Sequence, residues 1–238
     1  MNLANRLSSW GIRENIWKSA LALRIWLAEH FITTFPGLYS VVDTDAEVPV
    51  QVAAYRLITE RYLQPGDSVL DVGFGLGYGL KIMAAKADRL AGIEIDRKAI
   101  ARARRALNHP KIADLRHYNG YAIPYEARSF DVVTCVDVIE HVPDYLRLMS
   151  DMCKVARRAV VISTPSRRPE YTKPDGSPRN PWHLREWSYD EFDAILRQIG
   201  VKYEWNFLNG PWEGPFEVSR QITETTMALT PAIHTISD

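Results

Sequence analysis

The chain has 238 residues, of which 46% are hydrophobic and 24% charged, a balance typical of a globular protein and not of a disordered one. Its 29 basic and 29 acidic residues give a formal net charge of zero, which argues against a nucleic-acid partner because such proteins usually carry a basic excess. The two cysteines, Cys135 and Cys153, form no CxxC motif and are expected to be buried thiols in a cytoplasmic protein.

The first 64 residues predict an N-terminal helical cap made of two helices. Apolar residues recur near helical spacing over residues 10–33, Pro36-Gly37 ends that helix, and a second helix is predicted over residues 48–63. Charged residues interrupt the apolar ones, which excludes a signal peptide and a transmembrane helix. The first helix is open to three roles: a lid over a ligand, a surface packed on the sheet or across a homodimer, and a contact with membranes or lipid substrates.

From residue 68 onward, short apolar runs alternate with helical ones. Strands are predicted at residues 68–72, 90–95, 114–118, 130–136, 159–163 and 201–208 and within 216–230, with helices at 76–87, 97–107 and 145–156. This alternation is typical of a doubly wound α/β sheet whose strands are mostly parallel. The sequence therefore predicts one α/β core domain over residues 65–238.

A proline-rich insertion interrupts this rhythm at residues 165–187. Five prolines fall within 17 residues there, and a connection of this length in a compact domain tends to be functional or disordered. Directly after it, Ser188 and Glu191 have the spacing of a capping box, and Gly200 marks the expected end of the helix that this box begins.

A glycine-rich turn follows the first predicted strand. The segment Asp71-Val72-Gly73-Phe74-Gly75-Leu76-Gly77 lies where a strand becomes a helix, and glycines there permit a tight turn and a close approach of backbone N–H groups to a ligand. Glu94 ends the next strand, 23 residues after Asp71, which is near the distance at which an acidic residue reaches a ribose in this architecture. Glycine occupies every second position from 73 to 79, unlike the GxGxxG turn of an NAD-dependent oxidoreductase.

These segments resemble the motifs of the class I S-adenosylmethionine-dependent methyltransferases. The glycine turn looks like the first motif; Gly92-Ile93-Glu94-Ile95-Asp96 looks like the second; residues 119–124 with 129–133 resemble the third region; and residues 137–142 look like the segment that ends the fourth strand. The resemblance covers roughly residues 65–165, more loosely to 208, and is closest in general to the small-molecule branch that includes quinone-biosynthesis methyltransferases. It implies a seven-stranded Rossmann-like sheet and S-adenosylmethionine as cofactor.

The resemblance also implies which residues contact the cofactor. Gly73, Gly75 and Gly77 would let the backbone pass close to it. Glu94 would bond the two ribose hydroxyls, and Ile95 would pack on the adenine.

Three polar residues complete the expected cofactor contacts. S-adenosylmethionine carries no phosphate, but its amino-acid head has a positively charged ammonium. The Asp71 carboxylate suits that ammonium, directly or through water. Asn119 stands where many family members have the aspartate that bonds the adenine amino group, and its side-chain oxygen can accept there. Asp137, which follows the fourth strand, is the third of these polar residues. Phe74 departs from the family pattern, since a smaller residue is more usual at that position.

Two histidines are the candidate catalytic residues. Methyl transfer is an in-line displacement, so the enzyme has to align the acceptor and exclude water, and a hydroxyl acceptor benefits from a general base. His141 follows the fourth strand at the carboxyl edge of the sheet, and His183 lies in the insertion between Trp182 and Trp187. Each has a structural alternative: His141 could orient its loop or cap a helix, and the segment around His183 could be an aromatic plug over the fifth strand.

A metal site is a further option. Asp137, Glu140 and His141 follow a D-x-x-E-H spacing, with His183 further along, and some methyltransferases of this superfamily bind a divalent ion through a similar E-x-x-E-H set with a distant histidine. Carboxylates with histidine suit Mg²⁺ or Mn²⁺. However, Asp137 replaces a glutamate of that set and the Glu-His pair is common in members without metal, so no residue is assigned as a metal ligand.

The sequence thus predicts a methyltransferase that acts on a small organic acceptor, more at oxygen than at nitrogen. The insertion at 165–187 and the N-terminal helices are expected to form the acceptor pocket. A non-catalytic module that keeps the cofactor site stays open as an alternative, and an NAD-dependent oxidoreductase is the less favoured one.

Overall fold

The computed structural model describes residues 47–120 and 122–235, and its elements are numbered here from the first described residue. The helix predicted over residues 10–33 lies outside the described residues, as does most of the predicted cap. The second predicted helix is confirmed: α1 spans Pro49–Arg61 and begins with a proline, whose missing N–H is harmless in a first turn.

Strands and helices alternate over most of the core, as predicted, although no described helix separates the third strand from the fourth or the last three strands from one another. The elements are β1 (Ser68–Val72), α2 (Tyr78–Met83), β2 (Arg89–Glu94), α3 (Arg97–Ala106), β3 (Ile112–His117), β4 (Phe130–Val136), α4 (Tyr145–Val155), β5 (Ala156–Pro165), α5 (Tyr189–Ile199), β6 (Lys202–Asn209), β7 (Glu217–Ser219) and β8 (Thr226–His234). Short 3₁₀ helices lie at Ile139–His141 and Pro169–Tyr171. Among the described residues, no helix is both long and apolar enough to cross a membrane.

All described strands belong to one sheet with the order β3-β2-β1-β4-β5-β8-β6-β7. The first five strands are parallel, whereas β8, β6 and β7 pair antiparallel. The described residues form eight strands, so the predicted number of seven is wrong: the segment predicted as one strand within residues 216–230 contains all of β7 and the start of β8. Because β7 has three residues, it is too short for an alternating pattern to distinguish it from a turn.

The sheet is covered by helices on both faces, and alternating residues of β1 show why. Val69 packs into the apolar layer beneath α1, α2 and α3, while Leu70 and Val72 pack into the layer beneath α4 and α5. Successive strand side chains point to opposite faces, so a strand buried on both sides reads as the continuous apolar run seen in the sequence.

Helix α5 begins and ends where the sequence predicted. The Ser188 side chain accepts from the Glu191 N–H at 3.3 Å, and Glu191 Oε2 accepts from the Ser188 N–H at 2.9 Å, which completes the capping box. Gly200 ends the helix with a φ of 69°. Both cysteines are free and buried, also as predicted.

Phe74, which departs from the pattern of the family that the chain resembles, has a packing role. Its ring is buried against Gly92 of β2, where an added Cβ would lie 2.4 Å from the Phe74 Cδ1 atom. The glycine therefore makes room for the large ring, and the ring supports the glycine-rich turn from below.

Candidate cofactor and acceptor site

The candidate site lies at the carboxyl edge of the sheet, between β1 and β4. The strand order reverses direction there, and doubly wound sheets bind their ligands in the crevice at such a point. Gly73, Gly75 and Gly77 have φ values of 74°, 52° and 81°, a region that residues with a side chain rarely adopt. A Cβ added to Gly73 would lie 2.3 Å from Val138 Cγ2, so the turn passes directly beside the segment that follows β4.

Glu94 is buried at the end of β2 and is held by backbone groups on two sides. Its Oε2 accepts from the Gly75 N–H at 3.0 Å, and its Oε1 accepts from the N–H groups of Ile95 at 2.7 Å and Asp96 at 3.0 Å. Burial raises the pKa of Glu94, and these hydrogen bonds partly offset that increase. The carboxylate is thus fixed between the glycine turn and the start of α3.

Ile95 and Asn119 lie next to this carboxylate. Ile95 is 48% exposed, and its Cγ2 is the atom nearest to a Cβ added at Gly120. Asn119 is exposed, and its Oδ1 accepts from the Ala122 N–H at 3.4 Å. The ends of β2 and β3 therefore present an exposed apolar side chain and an amide beside a buried carboxylate.

Asp71 lies beneath the glycine turn and is fully buried. Its Oδ2 accepts from the Tyr55 hydroxyl at 3.0 Å, and its Oδ1 accepts from the Thr134 hydroxyl at 2.8 Å. Burial raises the pKa of Asp71 to about 7, although the hydrogen bonds from Thr134 and Tyr55 favour the charged form. Asp71 therefore links α1, β1 and β4 below the turn.

We expect Asp71 to make the stability of the chain depend on pH. The folded chain holds the Asp71 proton up to about pH 7, while the unfolded chain releases it near the ordinary pKa of 3.8. The free energy of unfolding should therefore fall as the pH rises between these values, by on the order of 4 kcal/mol, and level off above them. The measurement is the free energy of unfolding in urea of the wild type and of Asp71→Asn, taken across this pH range. A wild-type minus variant difference that stays constant with pH would contradict the expectation.

Asp137 follows β4 and adopts a φ of 50°, in the left-handed region. Its N–H donates to the Ser163 carbonyl at 2.8 Å, and its half-buried carboxylate accepts a hydrogen bond from Gln51 of α1. Gln51 is also bonded by the Tyr78 hydroxyl of α2. Burial raises the pKa of Asp137. This strained residue brings a carboxylate between the glycine turn and the 3₁₀ helix Ile139–His141.

The insertion packs over that 3₁₀ helix. The Leu184 N–H donates to the Glu140 carbonyl at 3.0 Å, and the Arg185 guanidinium donates to the carbonyls of Val142 and Pro143 at 3.1 Å. These bonds explain how a segment with little regular structure is held against the carboxyl edge. Residues distant in sequence are thereby brought to one site.

The two tryptophans of the insertion have different environments. Trp187 is buried and stacks on Phe192 of α5 with ring centroids 5.1 Å apart, which is the arrangement of a plug. Trp182 is 49% exposed. The structure therefore supports the plug for Trp187 and leaves Trp182 at the surface of the insertion.

The two predicted catalytic histidines meet at this place, with ring centroids 4.9 Å apart. His141 Nδ1 is 2.9 Å from the Trp182 carbonyl oxygen, which only accepts, so Nδ1 carries the proton and Nε2 the lone pair. Burial lowers the pKa of His141 to about 4, which keeps the ring neutral near pH 7. His183 Nδ1 lies 2.6 Å from Glu186 Oε1, and Asn180 Nδ2 lies 2.9 Å from His183 Nε2.

Glu140 and Glu186 place two buried carboxylates beside these histidines. Glu140 is fully buried; its Oε2 accepts from the Thr164 hydroxyl at 3.0 Å, and burial raises its pKa well above the ordinary value. Glu140 Oε1 and Glu186 Oε2 are buried and have no hydrogen-bond partner. The sequence placed Glu186 in the aromatic and charged cluster around His183 but indicated no role for it, because a spacing of three is a signal only in a helix and this segment is a loop.

The ligand atoms of Glu140, His141 and His183 lie within 4.8 Å of one another and, over residues 47–120 and 122–235, form the one group of three or more that could hold a metal ion. Asp137, which the D-x-x-E-H spacing had included, is not part of it. Two imidazoles and a carboxylate, one of whose buried oxygens lacks a partner, fit a divalent cation in their donor chemistry.

Comparisons with known proteins agree with the fold and the motifs. A family model described as a methyltransferase domain matches residues 70–162. A probable S-adenosylmethionine-dependent methyltransferase of Mycolicibacterium smegmatis is 34% identical over 141 residues, which cover 58% of this chain and 53% of that protein. A ubiquinone biosynthesis O-methyltransferase of Stutzerimonas stutzeri is 32% identical over 169 residues, which cover 61% of this chain and 72% of that protein.

Solved structures show the same fold. A structure of an S-adenosylmethionine-dependent methyltransferase from Aquifex aeolicus superimposes with a TM-score of 0.58 at 16% identity, covering 82% of this chain and 97% of the other. The chain spans about half the length of the Mycolicibacterium protein, 53%. With the motifs in their expected places on this sheet and a relative matched over most of its length, the chain belongs to the class I S-adenosylmethionine-dependent methyltransferases.

Proposed function

We propose that this chain transfers the methyl group of S-adenosylmethionine to an oxygen of a small organic acceptor. The observation that carries the proposal is the pair of histidines where the insertion packs over the 3₁₀ helix that follows β4, with ring centroids 4.9 Å apart and Nδ1 atoms bound to the Trp182 carbonyl and Glu186. In the transfer, the acceptor oxygen forms a bond to the methyl carbon, the carbon–sulfur electron pair returns to sulfur, and the acceptor proton leaves. A neutral imidazole can accept that proton as a general base.

The cofactor would lie along the carboxyl ends of β1 to β3. Glu94 would accept from the two ribose hydroxyls, and the 48% exposed Ile95 would cover one face of the adenine. Asn119 would face the adenine amino group. This assignment rests on the exposed apolar surface of Ile95 and on the carboxylate that is already oriented toward Gly75.

The methionine part of the cofactor would pass the glycine turn. Gly73, Gly75 and Gly77 leave the backbone accessible because their left-handed conformations carry no Cβ. Asp71 is fully buried beneath the turn, so the cofactor ammonium would reach it through water. Asp137, half-buried after β4, would contact the cofactor from the other side of the crevice.

The acceptor would bind under the insertion at residues 165–187. Its bonds to the backbone of Glu140, Val142 and Pro143 close one side of the histidine pair, which helps to exclude water from the reaction. Oxygen is favoured over nitrogen because a hydroxyl needs a base as it reacts, and because the Stutzerimonas relative is named an O-methyltransferase.

Thermal unfolding with added ligands tests the cofactor assignment. We expect S-adenosylhomocysteine at 100 times its Kd to stabilise the chain by about 2.7 kcal/mol, while NAD and NADH leave it unchanged. Stabilisation by NAD or NADH alone would show that the class is wrong. Release of S-adenosylhomocysteine is then measured with matched phenols, catechols and amines, and turnover only with the amines would contradict oxygen as the acceptor atom. Ligand binding without turnover would favour a non-catalytic module.

A further inference from the structure

We propose that Gln51 and Tyr55 of α1 are positioning residues for the amino-acid end of the cofactor. Gln51 donates a hydrogen bond to the carboxylate of Asp137. Tyr55 donates one to the carboxylate of Asp71. The inference rests on the proposed function, in which these two carboxylates face the cofactor ammonium, and deepens it by naming the side chains that hold them in place.

The first argument is the spacing of the two side chains on α1. Gln51 and Tyr55 are four residues apart within Pro49–Arg61, so they lie on the same face of the helix, about one turn from each other. This face meets the sheet beside the ends of β1 and β4, which carry the two carboxylates. One helix therefore reaches both sides of the glycine turn.

The second argument is the space that the chain leaves for Tyr55. The tyrosine is buried, and its ring lies against Gly79 in the first turn of α2, where an added Cβ would overlap the ring. Gly79 has no left-handed conformation that would require a glycine, so the close approach of this ring explains the fourth glycine of the 73–79 pattern. The Tyr55 hydroxyl passes this point and reaches Asp71 Oδ2 at 3.0 Å.

The third argument is the fixed orientation of the Gln51 amide. The Tyr78 hydroxyl of α2 donates to Gln51 Oε1, which leaves the amide nitrogen as the group that donates to Asp137. Asp137 itself adopts a φ of 50°, a conformation that residues with a side chain seldom adopt without support from their surroundings. The chain of bonds from Tyr78 through Gln51 thus holds the carboxylate of a strained residue.

These contacts prepare both carboxylates for a cation. Burial raises the pKa of Asp71 and of Asp137, and hydrogen bonds from their neighbours, those from α1 included, lower it and so favour the charged forms. A carboxylate that is already oriented loses less freedom when an ammonium binds. Because the adenosine part would lie at Glu94 and Ile95 instead, the loss of either donor should weaken only those ligands that carry the ammonium.

Isothermal titration of the full, tag-free chain with three ligands tests this expectation. S-adenosylhomocysteine carries the whole amino-acid end, decarboxylated S-adenosylmethionine keeps its ammonium without the carboxylate, and 5′-methylthioadenosine has neither. Tyr55→Phe and Gln51→Met each remove one donor and keep a side chain of similar volume. We expect each variant to bind the first two ligands about 10-fold more weakly than the wild type and 5′-methylthioadenosine within about 2-fold of it.

Tyr62→Phe is the matched control. Tyr62 follows α1 at the opposite end of the helix, is buried, and accepts a hydrogen bond from Asn206 of β6. The variant therefore removes a buried tyrosine hydroxyl from the same helix without changing a contact of Asp71 or Asp137. We expect it to bind all three ligands as the wild type does. Binding of 5′-methylthioadenosine also shows that the adenosine part of the site is folded in each variant.

The three ligands separate the possible results. Equal weakening of all three ligands in Tyr55→Phe and Gln51→Met would indicate a general structural role and overturn the inference. Unchanged affinity for S-adenosylhomocysteine or for the decarboxylated ligand in both variants would also overturn it, while leaving the proposed function intact. A wild-type chain that binds none of the three ligands would instead contradict the proposed function itself.

Discussion

Replacing Glu94 with alanine is expected to abolish the stabilisation of the chain by S-adenosylhomocysteine. In the proposed complex this carboxylate accepts from both ribose hydroxyls, and hydrogen bonds to a charged group contribute about 1.5 to 3 kcal/mol each. Their loss corresponds to at least about a 100-fold increase in Kd. Isothermal titration with S-adenosylhomocysteine measures the change directly.

The structure indicates how the Glu94 result has to be controlled. The carboxylate also holds the N–H groups of Gly75, Ile95 and Asp96, so Glu94→Ala will itself lower the melting temperature. The ligand-induced shift is therefore the relevant quantity, and Glu60→Ala, an exposed glutamate of α1, is the control for a lost negative charge. Glu94→Gln keeps one acceptor oxygen and should bind with intermediate affinity. An unchanged Kd in a folded Glu94→Ala chain would show that the ribose lies elsewhere.

Replacing His183 with glutamine is expected to lower kcat by about 10²- to 10⁴-fold, the range typical of a lost proton acceptor. The affinity for S-adenosylhomocysteine should stay the same, because His183 belongs to the insertion and not to the glycine turn. The measurement is the turnover of an acceptor found in the phenol and catechol series, together with a cofactor titration of the same variant.

His141→Gln separates the two histidines. Glutamine can still donate to the Trp182 carbonyl, so the contact of the turn with the insertion is kept while the Nε2 lone pair is removed. A loss of kcat in both variants would agree with a shared centre, as their ring distance of 4.9 Å suggests. Full activity of both variants would show that neither histidine takes up the acceptor proton.

The sequence predicted the features that depend on neighbouring residues. The capping box of Ser188 and Glu191 appears in the structure because its two bonds join residues three positions apart. Glu94 lies at the end of β2 as expected, since a short apolar run between two helical ones identifies a buried parallel strand. The same local logic located the turn at residues 73–77.

The eighth strand and the order of the antiparallel strands could not be predicted in this way. The residues of β7 pair only with β6, and β8 inserts between β5 and β6. Which strand occupies a sheet position depends on the apolar surface that it buries against strands from other parts of the chain. A run as short as Glu217–Ser219 carries no such information by itself.

For the candidate site, the sequence determined which groups can react and the tertiary structure decided which of them meet. Glycine in left-handed positions, a carboxylate after β2 and a histidine after β4 follow from the local pattern, because backbone geometry and strand ends are set by nearby residues. The contacts of Asp71 with Tyr55 and Thr134, and of His141 with Trp182, join positions 16 to 63 residues apart. Such contacts, like the arrangement that brings Glu186 and His183 to His141, form only when helices and the insertion pack on the completed sheet. Burial there then sets the pKa values and leaves the carboxylate oxygens without partners.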